Sequence, residues 1–362
     1  MELEKLYALD HAAINVYFSK NSDDFVVREL PLYEFSGSGE HLIIHIQKKD
    51  TTTIEAIKEI AKFLNIDKRE IGYAGLKDKD GFTMQYLSLP KIYEKELVKF
   101  SHEKIKINET FLHKNKLKVG HLSGNSFFIR LKKVSKVDAK KLQEVLDRID
   151  KMGYANYFGY QRFGKFDNIQ KARLMLKGEF KPKNRQLEKL LISSLQSFYF
   201  NKWLSSRVKL SKFADEFSVD ELAKIYQLSK DEAKEIKNQP NFYRLLKGEV
   251  LGHYPRGMSF LCENLEAECV RFGQRDISSL GPIYGKKMQE SSGFAKTLEE
   301  SCFDESCSEI GSDGTRRVAW SFLKELKYSY DEDRAWFMMS FILQKGSYAT
   351  TVLSEILHSE IF

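Results

Sequence analysis

Between Gly72 and Gln85 the chain reads GYAGLKDKDGFTMQ, and the pair Lys77-Asp78 inside this run is the sharpest candidate for chemistry in the 362 residues. A carboxylate held in a loop of small residues beside a cation has the makings of a nucleophile or a general base. Such groups concentrate on loops carried by rigid elements. The same composition also makes an ordinary solvated turn, since Gly and Asp are favoured turn formers. Two other readings fail on spacing. An EF-hand register would put Leu76 at the first ligand position, and the GxxxxGK[ST] pattern of a phosphate-binding loop is absent. The four cysteines, Cys262, Cys269, Cys302 and Cys307, lack the close CxxC pairing of most zinc sites, and the eight histidines form no HExxH or HxxxH group. No metal and no cofactor is therefore expected, and the cysteines read as free thiols.

The elements around the loop are legible. Strand-like runs, FVVREL and LIIHIQ, fall within 25–47, and further strands are expected at 85–89, 127–131 and 335–343. A helix is expected over 51–64, capped by Thr52 or Thr53, with Ile54, Ile57, Ile60 and Leu64 on one face. Helices are also expected over 131–153, 186–210 and 350–358. Two short ones fall within 218–238, the first opened by a capping box of Ser218 and Glu221. The acidic stretch 299–313 reads as a mobile loop. Strand-rich, then helix-rich, then strand-rich order points to an α+β chain with an insertion, and the length points to two domains. The first residues lack a basic n-region followed by an apolar core, and no apolar run approaches the ~20 residues that span a bilayer. A reducing, cytoplasmic setting is expected.

The net charge of +7 is unevenly spread. Residues 101–200 hold 22 Lys and Arg against 9 Asp and Glu, whereas the rest of the chain is net acidic. Part of this excess is the polar face of the 131–153 helix. The loops carrying Lys114, Lys116 and Lys118, and Lys181, Lys183 and Arg185, look directed at a ligand, and a concentrated basic band is what a polyanion selects. Aromatics interleave with cations from 156 to 166, where Phe158 lies near Arg162 and Lys165. Stacking on a splayed base needs such faces, although most of these rings are expected to be core.

GYAGLKDKDGFTMQ resembles the signature of the TruD family of tRNA pseudouridine synthases. Four other segments resemble that family in order: the run from Lys20 to Glu29, that from Gly120 to Phe127, that from Asn156 to Gly164, and that from Lys345 to Thr350 followed by Glu355. The chain departs from the family pattern at Asp80, where a basic residue is usual, and at Gly81, where Ala is usual. Gln344 stands for a common Pro, and Ser354 for a common Arg. The resemblance implies an α+β fold. A pseudouridine-synthase core of mixed, mainly antiparallel sheet with helices (1–175 and 317–362) would be interrupted by an inserted α/β TruD-specific domain (176–316). It implies isomerisation of uridine to pseudouridine, at uridine-13 of tRNA, with Asp78 as the catalytic residue. Phe158 would stack on the base and Asn156 would position the base or the nucleophile. Lys20 is the first candidate cation for Asp78, with Lys77 and Arg162 next, and Glu29 and Gln85 are supporting groups. Lys165 joins the two loop clusters in the RNA-binding set. tRNA is the expected partner, and the enzyme is expected to act alone, away from membranes and without a nucleotide cofactor. The alternative is a non-catalytic RNA-binding or tRNA-folding chaperone protein, which would use the basic band without needing Asp78. A glycosidase-type carboxylate enzyme would need a second, well-separated carboxylate, which Asp80 does not supply.

Overall fold

A computed structural model of the chain describes residues 5–159, 162–164 and 167–361. In chain order its elements begin with β1 (Phe25–Pro31), β2 (His41–Lys49), α1 (Thr53–Leu64), β3 (Gly72–Tyr73), β4 (Phe82–Pro90) and α2 (Glu94–Leu97). Next come β5 (Ile105–His113), β6 (Leu122–Lys132), α3 (Lys136–Met152), β7 (Tyr154–Ala155), α4 (Asp167–Leu176) and α5 (Arg185–Glu216). They continue with α6 (Val219–Tyr226), α7 (Lys230–Lys237), β8 (Val250–His253), β9 (Ser259–Leu261), α8 (Leu265–Gly273) and β10 (Ile277–Ile283). The last are α9 (Gly293–Glu300), β11 (Thr315–Val318), β12 (Trp320–Ser321), β13 (Lys324–Asp331), β14 (Trp336–Gln344) and α10 (Ala349–Leu357). None of the described helices is long and apolar enough to cross a membrane.

The chain divides into two compact units. One is Ile14–Glu144 with Leu323–Ser347, and it holds a sheet ordered β13-β14-β6-β1-β4-β2-β5, with β3 also paired to β4. Its pairings are antiparallel except β1 with β4. Period-two alternation sends Leu42, Ile44 and Ile46 of β2 and Leu87 and Leu89 of β4 to one face. There they pack on Ala56, Ile57, Ile60, Ala61 and Leu64 of α1. Helix α1 starts where it does because Thr52 and Glu55 close a capping box, and it ends at Asn65 in the left-handed region.

The other unit is Met1–Ala13, Val145–Phe322 and Tyr348–Phe362. It is built around α5, whose residues between Leu191 and Ser211 are mostly buried, and a sheet ordered β11-β10-β8-β9. In this unit the carboxyl of Glu355 on α10 accepts the backbone N–H groups of Ala8 and Leu9 at 2.7 and 2.9 Å, tying the first residues to the last helix.

Several expectations are corrected. Residues 131–132 finish β6, Lys133 takes a positive φ of 56°, and α3 begins only at Lys136. Helix α5 runs past 210 to Glu216. The stretch 299–313 is packed structure: Cys307 and Ile310 are buried against Phe163, Leu195 and Tyr199. The sheet β8–β11 and strand β5 were not foreseen. The division into units falls inside α3 and assigns both chain ends to the helical unit, whereas the sequence places the edges near 175 and 317. All four cysteines are buried and unbridged.

Candidate active site

The 75–78 loop is suspended from buried polar side chains on the α1 face of the sheet. Lys48 continues the alternation of Leu42, Ile44 and Ile46, so its stem lies in the core and is 1% exposed. Its ammonium donates to the backbone carbonyls of Thr51 (2.6 Å) and Asp78 (2.8 Å). Thr53, at the first turn of α1, accepts the Lys77 N–H at 2.8 Å and donates to Gln85 Oε1 at 2.8 Å. Gln85 in turn donates to the Gly75 carbonyl at 3.3 Å. Lys77 pairs with Glu29 at 2.6 Å, both side chains being buried, and Glu29 also accepts the Tyr86 N–H. The loop closes at Gly81, where φ is 85° and a Cβ would lie 2.7 Å from the Phe25 carbonyl oxygen, leaving no room for a side chain.

These anchors hold the backbone and leave the Asp78 side chain exposed. The cation that faces it is Lys20, which is half-buried. Burial lowers the Lys20 pKa, and the charges of Asp78 and then Asp80 oppose that shift. Lys20 is placed by its neighbours. Asp24 is fully buried against Lys132 at 2.6 Å and Arg130 at 3.5 Å, and Asn21 donates to Asp24 at 2.7 Å. Lys48 is the second cation felt by Asp78. Burial brings its pKa down to about 8, with Asp78 opposing and Lys77 adding to the fall. The Lys77 ammonium is engaged instead by Glu29 at 2.6 Å.

The segment 156–158 is mounted differently. Strand β7 pairs with β12, and the ladder is prolonged by Asn156 N–H donating to the Ala319 carbonyl at 2.8 Å. Asn156 is buried; its Nδ2 donates to the Val318 carbonyl at 2.9 Å, while its Oδ1 has no hydrogen-bond partner. Asn201 of α5 takes both backbone groups of Phe158, at 2.8 and 2.9 Å, in the manner of a strand partner. The Phe158 ring meets Phe200 edge-on, and the Arg317 guanidinium lies 3.9 Å from its centroid. One ring face is therefore taken, and at most one is left for a base. Arg162 is 5.5 Å from the same centroid and donates to the hydroxyls of Ser193 and Ser197.

Comparison with known proteins decides what this arrangement belongs to. The family model described as tRNA pseudouridine synthase D (TruD) matches residues 3–183 and 181–356. The tRNA pseudouridine synthase D of Campylobacter jejuni is 57% identical over 360 residues, covering 99% of this chain and 96% of the relative. That of Nitratiruptor is 46% identical, with 99% of each chain covered. The chain belongs to the TruD family of tRNA pseudouridine synthases. A solved structure assigned to TruD from Methanosarcina mazei superposes with a TM-score of 0.74 at 19% identity, over 98% of this chain and 96% of that one, and shows the same fold.

Within this TruD-family chain, Asp78, Lys20, Lys77, Glu29 and Gln85 gather in the sheet unit, and Asn156, Phe158 and Arg162 in the helical unit. Lys114, Lys118, Lys181, Lys183 and Arg185 are exposed, and among the described residues none pairs with a carboxylate within 4 Å. Lys116 is instead tied to the Arg69 carbonyl. Arg185 opens α5, where the helix dipole disfavours a cation, so helix stability does not account for it. Lys165 lies outside the described residues. Sequence reasoning missed Lys48, Thr53, Asn201 and Arg317. Only Lys48 carried a readable signal, as the next inward position after Leu42, Ile44 and Ile46.

Proposed function

We propose that the chain converts uridine-13 of tRNA to pseudouridine, with Asp78 as the carboxylate that carries the covalent work. The observation that supports this most is the contrast between a loop backbone held by the buried side chains of Lys48, Thr53 and Gln85 and an Asp78 carboxylate left exposed, with Lys20 the cation whose charge it feels. Preorganisation of this kind lowers the cost of bringing a reacting group into line.

The reaction breaks the N1–C1′ bond, turns the uracil, joins C5 to C1′, releases the C5 hydrogen as a proton and returns one proton to N1. Bonds and electrons balance within the substrate. Asp78 acts as a carboxylate that attacks C1′ or C6 or takes the C2′ proton, with the charges of Lys20 and of Lys48 beneath the loop coupled to its own. The target base must leave its stack at a cost of a few kcal/mol. Phe158 offers the remaining ring face to the base, and the unpaired Asn156 Oδ1 offers an acceptor for a base N–H. The exposed lysines at 114 and 118 and the cluster at 181–185 hold phosphates. Residues 176–316 are read as the TruD-specific insertion.

The test is to map the product. tRNA transcripts treated with the chain and read by carbodiimide-dependent primer extension should stop at position 13, and a transcript with cytidine at 13 should not. A stop elsewhere would reassign the target. Intact tRNA binding with no stop on any tRNA would favour the non-catalytic RNA-binding reading.

A further inference from the structure

Arg316 and Arg317 are neighbours on β11 with opposite fates. Arg316 forms a two-pronged pair with Glu299, at 2.6 and 3.1 Å. The other strongly buried arginines are also matched, Arg207 by Glu249 and Arg244 by Asp215. Among the described residues, no carboxylate lies within 4 Å of Arg317. Its Nη2 donates to the Asn156 carbonyl at 3.0 Å, and among the described residues its buried Nε finds no partner. Three rings surround it: Phe158 at 3.9 Å, Phe200 at 5.3 Å and Tyr348 at 5.9 Å from its Cζ. Rings offset part of a cation's desolvation and leave its N–H groups unsatisfied.

A second guanidinium stands over the same ring. Arg162 is exposed, is 5.5 Å from the Phe158 centroid and is bonded only to serine hydroxyls. Burial lowers the Arg317 pKa to about 10, Tyr348 and Tyr154 oppose that shift, and Arg162 adds to it. These two cations repel each other around one aromatic ring, and among the described residues no carboxylate lies within 4 Å of either. An unpaired, desolvated guanidinium is matched best by an oxygen anion, because charge-assisted bonds are the strong ones.

We propose that Arg317 and Arg162 form an anion subsite beside Phe158 that takes a backbone phosphate of the RNA adjoining the base that Phe158 meets. The subsite rests on the proposed function for its RNA ligand. It also assigns the ring a second role: Phe158 supports the Arg317 guanidinium at 3.9 Å. Arg317 thereby couples phosphate capture to the Asn156 backbone, to which it is bonded.

The experiment is the salt dependence of tRNA binding, measured by filter retention for wild type, Arg317→Gln, Arg162→Gln and the double variant. Losing the phosphate contact should make the slope of log affinity against log salt shallower by about one, in each single variant and in the double variant alike, because the two arginines share one phosphate. Between 50 and 200 mM salt, each single variant should then lose about threefold less affinity than wild type. Arg317→Lys, which keeps the charge, should retain most of the slope. Because Arg162 is exposed, its variant tests the subsite even if Arg317→Gln fails to fold. Unchanged slopes in Arg162→Gln and in folded Arg317→Gln would overturn the proposal and leave Arg317 as a brace for the Asn156 carbonyl. A reduced slope in a chain that releases no C5 hydrogen from any tRNA would keep the anion subsite and reject the isomerase reading.

Discussion

The loop carrying Asp78 hangs from residues 10 to 30 positions away, Gln85, Thr53 and Lys48, whereas the segment carrying Asn156 and Phe158 is pinned by Asn201 and Arg317, 43 and 161 positions away. In the first region the side chains that do the holding are buried and satisfied, and the group left over is a carboxylate. In the second, the groups left over are an amide oxygen, a guanidinium N–H and one face of a ring. The proposed function makes the first region the one that fixes a reacting atom and the second the one that meets the RNA, through groups left without partners among the described residues.

Apart from Asp78 itself, the largest effect of breaking this comparison is expected at Lys48. Lys48→Met keeps the buried stem and removes both bonds to the loop carbonyls. A loop displaced by about 1 Å should lower kcat about 100-fold with little change in tRNA affinity. Circular dichroism melting and tritium release from 5-³H-uridine tRNA would separate this from unfolding. The pH response sharpens the assignment. The Lys48 pKa falls from 10.5 to about 8 on folding, chiefly through burial. Between those values the unfolded chain binds more protons, so wild-type stability gains from Lys48 as pH rises through 8 and on towards 10.5, and loses that gain as pH falls back through 8. Turnover should move the other way, declining above pH 8 as the ammonium is lost. The Met variant should show neither trend.

A smaller effect is expected in the second region. Phe158→Leu preserves apolar volume and removes the aromatic face, which is worth about 1–3 kcal/mol per stacked base. It should raise KM for tRNA about tenfold while lowering kcat by less, in contrast to Lys48→Met. A variant that lost kcat alone would move Phe158 from holding the base to aligning the chemistry.

The two regions also differ in how far they were legible. A capping threonine at 52 or 53, the alternation in β2 and β4 and the crowded glycines around Lys77 are local signals that placed the loop, whereas Glu29 and Gln85 were reached through the resemblance to the TruD family. Lys48 was overlooked because a lysine at a strand end ordinarily faces water, although strand alternation pointed it inward. Asn201 sits among buried aromatics in a helix whose buried stretch mixes apolar residues with Ser194, Gln196, Ser197, Ser205 and Arg207, so periodicity singles out none of them. Arg317 lies on a four-residue strand beside an arginine with a different role, and its contact with Asn156 is a product of the tertiary fold alone. Strands β8, β9 and β11, of three or four residues each, are too short for alternation to show.

The most direct test of the central claim is tritium release from tRNA carrying 5-³H-uridine, with wild type and Asp78→Asn compared at tRNA concentrations that saturate both. Forming the C5–C1′ bond must expel the C5 hydrogen. The account predicts release by wild type and a loss of about 10⁴-fold or more in the variant, at nearly unchanged tRNA affinity, because the substitution removes a reacting group and no cation. Release by Asp78→Asn at the wild-type rate would contradict the account, and the carboxylate that does the work would have to be sought elsewhere in the chain.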